Sequence, residues 1–319
     1  MKVPTIVLAL FLSAATANAS LNHAHADIAA RHASIARRAP TSLEKRAPNT
    51  RSRRRCQAPA SNRASPSPAN VAAANNTPAP QAAAPAPAAP APQTQWQTSG
   101  IVHSDYCGGA RATPETSRET GPHGHIDFLN CGIHSGGWSP PYLGLGDLHI
   151  VPLGTALQSG DSPFHACAPF RGIFEAAAGE YGVPAIMLAS FAMQESSCNP
   201  NTVGGGGEQG LMQITQDKCG GAPNGDCRNP DFNIRAGARY FAERLAAHNG
   251  NVLLALGQYN GWFPGMTFER ATAAQYSACC RCQNNLDYLH QFLNGWIRNI
   301  NSYNANNRLG RYFNLDVCG

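Results

Sequence analysis

Charge is sparse in this 319-residue chain, with Asp, Glu, Lys and Arg making up only 13% of it. Acidic residues are almost missing from the first 97 positions, which hold 11 Lys/Arg against 2 Asp/Glu, a balance of +9. The rest holds 13 Lys/Arg and 17 Asp/Glu, a balance of −4. The net +5 therefore belongs to the leader, and a mildly acidic remainder argues against nucleic acid as a ligand. No stretch reaches the roughly 18 apolar residues that a membrane-spanning helix needs. The glycine run at 204–207 lacks the following Lys-Ser/Thr of a phosphate-binding loop. No Ser-His-Asp order stands out, and no internal repeat is present.

What is there begins with the pattern of a secretory signal over 1–19: Lys2, an apolar stretch from Val3 to Leu12, and the small-residue triplet Ala17-Asn18-Ala19. Residues 20–55 read as a pro-peptide, with paired basic residues at Arg37-Arg38, Lys45-Arg46 and the Arg53-Arg54-Arg55 run. Residues 56–97 are nearly all Ala, Pro, Ser, Asn, Thr and Gln. That composition cannot bury enough apolar surface to offset chain entropy, so it reads as an extended linker. Asn75-Asn76-Thr77 is a glycosylation sequon on it. The expectation is a secreted, extracellular, monomeric protein without a membrane anchor.

Eleven cysteines fit an oxidising compartment, and ten of them follow residue 98, enough for five bridges with Cys56 left over. Cys279, Cys280 and Cys282 stand too close together to pair with one another without strain, so each is expected to reach a separate partner.

The expected fold is mainly α, a helical domain over 167–319 with a disulfide-stapled, irregular extension over 98–166. Within the extension, 147–151 reads as a short strand. Beyond it, helices are expected over 170–181, 184–193, 233–248, 251–259 and 283–300. The second is apolar all round, the mark of a helix inside a core.

Glu195 sits at the end of that buried helix. Leu188 and Phe191 lie seven and four residues before it, so its carboxyl shares an apolar face. Two roles stay open on position alone: a structural carboxylate satisfied by an Arg or backbone N–H groups, or a general acid. An apolar setting disfavours the charged form and keeps a proton ready for a glycosidic oxygen.

The words around Glu195 add to this. Glu195-Ser196, then Asn199-Pro200, then Gly210-Leu211-Met212-Gln213-Ile214, then Asn233-Ile234 with Ala236-Gly237-Ala238-Arg239-Tyr240, then Ala255-Leu256-Gly257-Gln258-Tyr259-Asn260 follow in order. Across 183–260 the chain resembles the soluble lytic transglycosylases and goose-type lysozymes, and hence a lysozyme-like fold. The resemblance implies that Glu195 is the acid and later the base. It implies that Ser196 and Gln213 bond the sugar beside the scissile link, that Tyr259 orients the Glu195 carboxyl and that Asn260 supports the cleft. Met212 is either a sugar-face contact or core packing. The implied substrate is peptidoglycan, cut at β-1,4 links by transglycosylation or hydrolysis. The rivals are chitin or its oligomers on the same scaffold, and a non-catalytic glycan-binding defence protein. No cofactor is implied.

Two departures from the family pattern matter. Gly261-Trp262 follows the Tyr-Asn pair, and Gly207-Glu208-Gln209 precedes Gly210 where the family commonly has an Ala. Glu208 is expected to be an exposed loop carboxylate; the sharper alternative is a second carboxylate that positions water. Asp217, Asp226 and Asp231 are further candidates for that part. His123, His125, Cys131 and His134 are weighed as zinc ligands and set aside, because a bridged Cys131 and solvated histidines account for them. Among the aromatics, Trp138, Tyr142 and Trp262 are candidates to stack on sugars, with Trp262 placed in the cleft and Trp296 in the core. The extension is left to lengthen the cleft, cover it or bind polymer separately.

Overall fold

The computed structural model describes residues 96–204 and 207–318. The signal, the pro-peptide, Cys56, the sequon and all but the end of the linker lie outside the described residues.

The architecture is helical, and among the described residues extended pairing is limited to isolated bridges. Two short helices, α1 (Ile126–Leu129) and α2 (Leu153–Ala156), sit in the extension. They are followed by α3 (Arg171–Tyr181), α4 (Ala185–Ser196), α5 (Pro230–Ala247), α6 (Val252–Tyr259), α7 (Phe268–Thr272) and α8 (Tyr288–His290). The expected strand at 147–151 is only a bridge between Gln97 and His149, with Ile150 N donating to Gln97 O at 2.8 Å. Leu148, His149 and Ile150 are all buried, so the apolar run serves packing rather than a sheet.

Local chemistry explains the long helices. α3 ends where Gly182 takes φ 66°, a left-handed conformation that glycine adopts freely. In α4, Ile186 through Ser196 are buried without interruption, as an all-round apolar helix requires. Its exit turns through Ser197 and Cys198, both with positive φ. α5 starts before the expected position because Asn229 caps it, accepting from Phe232 N at 3.1 Å, and Pro230 suits the first turn. At the centre, Phe191 of α4 packs against Tyr259, Phe241 and Phe292, with ring centroids 4.1, 5.0 and 4.7 Å away.

The helix expected over 283–300 is broken. α8 passes into a π-helical turn, Gln291–Gly295, and a 3-10 turn, Trp296–Arg298. Distant groups compete for its backbone. Ser302 Oγ donates to Gln291 O at 2.7 Å, and the Asp287 carboxylate accepts from the N–H groups of Arg311, Tyr312 and Phe313.

Among the described residues five disulfides join Cys107–Cys131, Cys167–Cys198, Cys219–Cys227, Cys279–Cys282 and Cys280–Cys318. The expectation of three separate partners for the late cysteines is corrected. A tight turn over Cys280–Cys282 brings the Cα atoms of Cys279 and Cys282 to 5.3 Å, within ordinary bridging range, and only Cys280 reaches far along the chain.

The extension does not form a core of its own. Phe128, Leu129, Trp138, Leu148, Ile150 and Leu153 belong to the same apolar cluster as α3–α6. Asn294 fastens it, accepting from His123 N at 2.9 Å and donating to Gly124 O at 2.9 Å.

Candidate active site

Glu195 occupies the last turn of α4 and is fully buried. Next to it, Ser196 is buried too, and its single hydroxyl hydrogen is shared between two acceptors, Ala192 O at 2.9 Å and Leu211 O at 2.8 Å. Ser196 thus joins the end of α4 to the Gly210–Ile214 stretch, and its hydroxyl hydrogen is engaged with the backbone.

Gln213 stands in that stretch with φ 46°, a left-handed conformation that costs a non-glycine residue roughly 1–2 kcal/mol. Its amide group holds the turn, Nε2 donating to Gly210 O at 2.8 Å and Thr202 O at 3.1 Å. Its buried Oε1 has no protein partner. Met212 is fully buried, and its side chain fills the space over Gly237 of α5, where a Cβ would stand 2.7 Å from Met212 Cε. Of its two expected roles, core packing is the one its surroundings match.

Tyr259 ends α6, and its hydroxyl donates to Met212 O at 3.1 Å. Burial pushes its phenol well above the ordinary range, and the neighbouring Glu195 carboxylate and Tyr240 push the same way. That influence puts Tyr259 and Glu195 in one electrostatic environment. Asn260 follows, buried, with neither end of its side-chain amide bonded to the protein. The fold therefore gathers Glu195, Ser196, Met212, Gln213, Tyr259 and Asn260 around the junction of α4, α6 and the Gly210–Ile214 stretch.

Glu208 corrects an expectation. It is fully buried rather than exposed. Gln209 bridges Val203 on one side and Ile214 on the other, and Glu208 O accepts from Gly204 N at 2.8 Å, so the chain folds inward there. The other acidic candidates face solvent in ion pairs: Asp217 with Lys218, Asp226 with Arg228 and Asp231 with Arg235. The Thr215 hydroxyl and, after it, Lys218 hold Asp217 below the usual carboxylate range, and Arg228 does the same for Asp226.

Trp262 is corrected as well. It is 1% exposed and packs edge-on against Trp138, with centroids 5.0 Å apart, so neither indole offers a face to a sugar. Trp296 is core, as expected, donating from Nε1 to Gln194 Oε1 at 2.8 Å. Tyr142 is exposed. Cys131 is bridged, and among the described residues no group of three His, Cys, Asp or Glu side chains is arranged to hold a metal. His123 is fully buried, not solvated.

Sequence reasoning marked one organiser only as part of a family word and gave it no role. Asn233 of α5 accepts from Met212 N at 2.8 Å and donates to Gln209 O and Cys227 O, both at 2.8 Å. Beyond that word, the signal was a polar residue at a buried position of α5.

Residues 172–272 match the family model described as transglycosylase SLT domain. Membrane-bound lytic murein transglycosylase F of Serratia proteamaculans (strain 568) is 30% identical over 142 residues, covering 42% of this chain and 28% of that protein. Membrane-bound lytic murein transglycosylase F 1 of Alkalilimnicola ehrlichii (strain ATCC BAA-1101 / DSM 17681 / MLHE-1) is 38% identical over 112 residues, covering 33% of this chain and 23% of that protein. A second protein of that strain, membrane-bound lytic murein transglycosylase F 2, is 37% identical over 93 residues, 27% of this chain and 21% of its own length. The chain spans less than a third of the length of these curated relatives. The SLT domain bears out the resemblance to lytic transglycosylases, over a span slightly wider than the motifs marked.

The relatives overturn the expectation of a freely secreted, extracellular protein without an anchor, because all three are named membrane-bound. Their names point to membrane association, while among the described residues no helix is long and apolar enough to cross a membrane.

Proposed function

We propose that the SLT domain cleaves the β-1,4 links of peptidoglycan, with Glu195 as general acid and then as base. The murein transglycosylase names of the relatives support the substrate class. The observation that carries the assignment is the company Glu195 keeps. It is a buried carboxyl at a helix terminus, in the electrostatic reach of Tyr259, among two amides whose polar atoms the fold leaves unspent: Gln213 Oε1 and both ends of Asn260. Leaving a buried polar atom unsatisfied costs about 1–3 kcal/mol. Acetamido and hydroxyl groups of an amino sugar would satisfy such atoms without bringing charge to Glu195.

In the reaction, Glu195 gives its proton to the leaving glycosidic oxygen as the bond breaks. The substrate's own N-acetyl oxygen stabilises the sugar cation. Glu195 then takes the proton of the sugar's C6 hydroxyl as that oxygen closes on the anomeric carbon, giving an anhydro product. One carboxyl is enough for this route. The burial of Glu208 favours a second reading, in which Glu208 positions a water and the product has a free reducing end.

Mass spectrometry of products from purified peptidoglycan and from N-acetylglucosamine oligomers tests both. Anhydro ends on peptidoglycan fragments are expected, and Glu195→Gln should lose at least about 100-fold in turnover. Undiminished turnover in Glu195→Gln would remove the assignment. Reducing ends that vanish in Glu208→Gln would select the hydrolytic reading.

A further inference from the structure

A cavity of about 610 Å³ opens where the extension meets α3 and the start of α4. Trp96, Thr155 and Gln158 of the extension, Arg171 and Glu175 of α3, and Ile186 of α4 are among the residues that line it. Glu195 lies nine residues beyond Ile186, roughly 14 Å along the helix axis. The cavity is thus separate from the candidate active site.

Its lining has a definite chemistry. Arg171 Nε donates to Glu175 Oε1 at 2.7 Å, one helical turn apart. The Arg171 guanidinium also rests on Gly154 of α2, where a Cβ would stand 2.8 Å from Nη2, so the glycine lets the fork lie close to the backbone. The pair as a whole is neutral, and so are Thr155 and Gln158. An anion would be repelled by Glu175 and a cation by Arg171, whereas a neutral molecule rich in hydroxyl and amide groups finds donors from Arg171 and acceptors from Glu175. Trp96 supplies an apolar wall. It is the one half-buried tryptophan of four, since Trp138, Trp262 and Trp296 are at most 1% exposed. An indole beside a charge-balanced set of donors and acceptors, in a cleft of this size, suits a pyranose ring.

We propose that this cavity is a second saccharide-binding site, which takes an N-acetyl amino-sugar chain and holds the polymer away from the point of cleavage. The choice of ligand class rests on the function proposed above; the site itself rests on the lining.

The tryptophans make the test selective. The full chain is titrated with the N-acetylglucosamine hexamer while its tryptophan emission is followed, and only Trp96 among the four is placed to report contact. A saturable change is expected. It should be absent in Trp96→Phe, weakened about tenfold in Arg171→Ala, and retained in Glu195→Gln. Turnover of short soluble fragments should be unchanged in Arg171→Ala while retention on insoluble peptidoglycan falls. An emission that does not respond to hexamer, a response that survives in Trp96→Phe, or an equal loss on soluble and insoluble substrate would each overturn the site. Persistent cleavage by Glu195→Gln would overturn the proposed function instead, and would leave the Trp96 titration standing.

Discussion

The hydroxyl of Ser196 reaches across 2.8 Å to the backbone carbonyl of Leu211, and a second acceptor, Ala192 O, lies 2.9 Å away within its own helix. One side chain therefore sets the distance between the end of α4, where Glu195 stands, and the stretch that carries Gln213. This geometry makes Ser196 a positioning residue and gives it a different mutational signature from a sugar ligand.

Ser196→Ala removes a buried hydroxyl and leaves Leu211 O without it, a loss of about 1–3 kcal/mol. The expected outcome is a lower melting temperature together with a fall in kcat, with KM little changed. A variant as stable as the parent but with a raised KM would instead show Ser196 to be a substrate contact.

Reduction should act on the same helix end. Cys198, three residues after Glu195, is bridged to Cys167 across 31 positions. Closing a loop of that length contributes roughly 3–4 kcal/mol through the unfolded chain. The double variant Cys167→Ala/Cys198→Ala is expected to melt well below the parent and to lose turnover before it unfolds, because the exit of α4 is released first. Thermal melts run beside activity at each temperature check this, and coincident losses would contradict it.

Acid should weaken the junction between the extension and the helices. Burial holds His123 down to about 3 and His290 to about 4, against an ordinary 6.5. His149 and Arg298 push His123 further down while Asn294 opposes them, and around His290 the Arg118 and Ser117 carbonyls oppose the burial that His125 reinforces. His290 Nε2 donates to Arg118 O at 2.9 Å, and its Nδ1 accepts from Asn294 at 3.0 Å, a neutral-ring arrangement. Below about pH 6.5 the unfolded chain takes up protons that the folded one refuses, so stability rises with pH from about 4 to 6.5 and is lost on acidification. Each histidine adds up to about 1.4 kcal/mol per pH unit in that window. Asp287, whose carboxyl burial raises, works in the opposite sense near the low end, since the fold favours its protonated form. The melting temperature should fall steadily from pH 7 to 4.5, and His123→Gln should flatten the slope. A flat profile in the parent would refute this account.

How far the sequence went depended on the range of the interactions involved. α3, α4 and α6 were legible because their signals are local: helical spacing of apolar residues up to Gly182, the apolar run shortly before Glu195, and the short apolar stretch that ends at Tyr259. Glu195, Gln213 and Tyr259 were legible as words in a familiar order. What escaped is set by groups far away in the chain. The late helix breaks because Ser302 takes Gln291 O and residues 311–313 take Asp287. Trp262 is buried by Trp138, more than 120 positions earlier. No local pattern encodes such partners.

That last contact leads to a prediction about the extension itself. Gly257 of α6 lies under Trp138, and a Cβ there would fall inside the contact radius of the indole. At an exposed helical site, replacing Gly with Ala stabilises by about 1 kcal/mol. Here the sign should reverse, because Trp138 has nowhere to go: its Nε1 donates to Leu129 O at 3.1 Å and Trp262 abuts its edge. Overpacking of this kind costs about 1–3 kcal/mol. Gly257→Ala is therefore expected to destabilise the protein and, through Tyr259 two residues on, to reduce turnover. In a Trp138→Phe background the smaller ring makes room, and the same change should cost little, so a double-mutant cycle should show strong coupling between residues 138 and 257. Additive effects would mean that the extension merely rests beside α6. Coupling would mean that residues 98–166 hold the helix bearing Tyr259 in place, and that removing them removes the site as well.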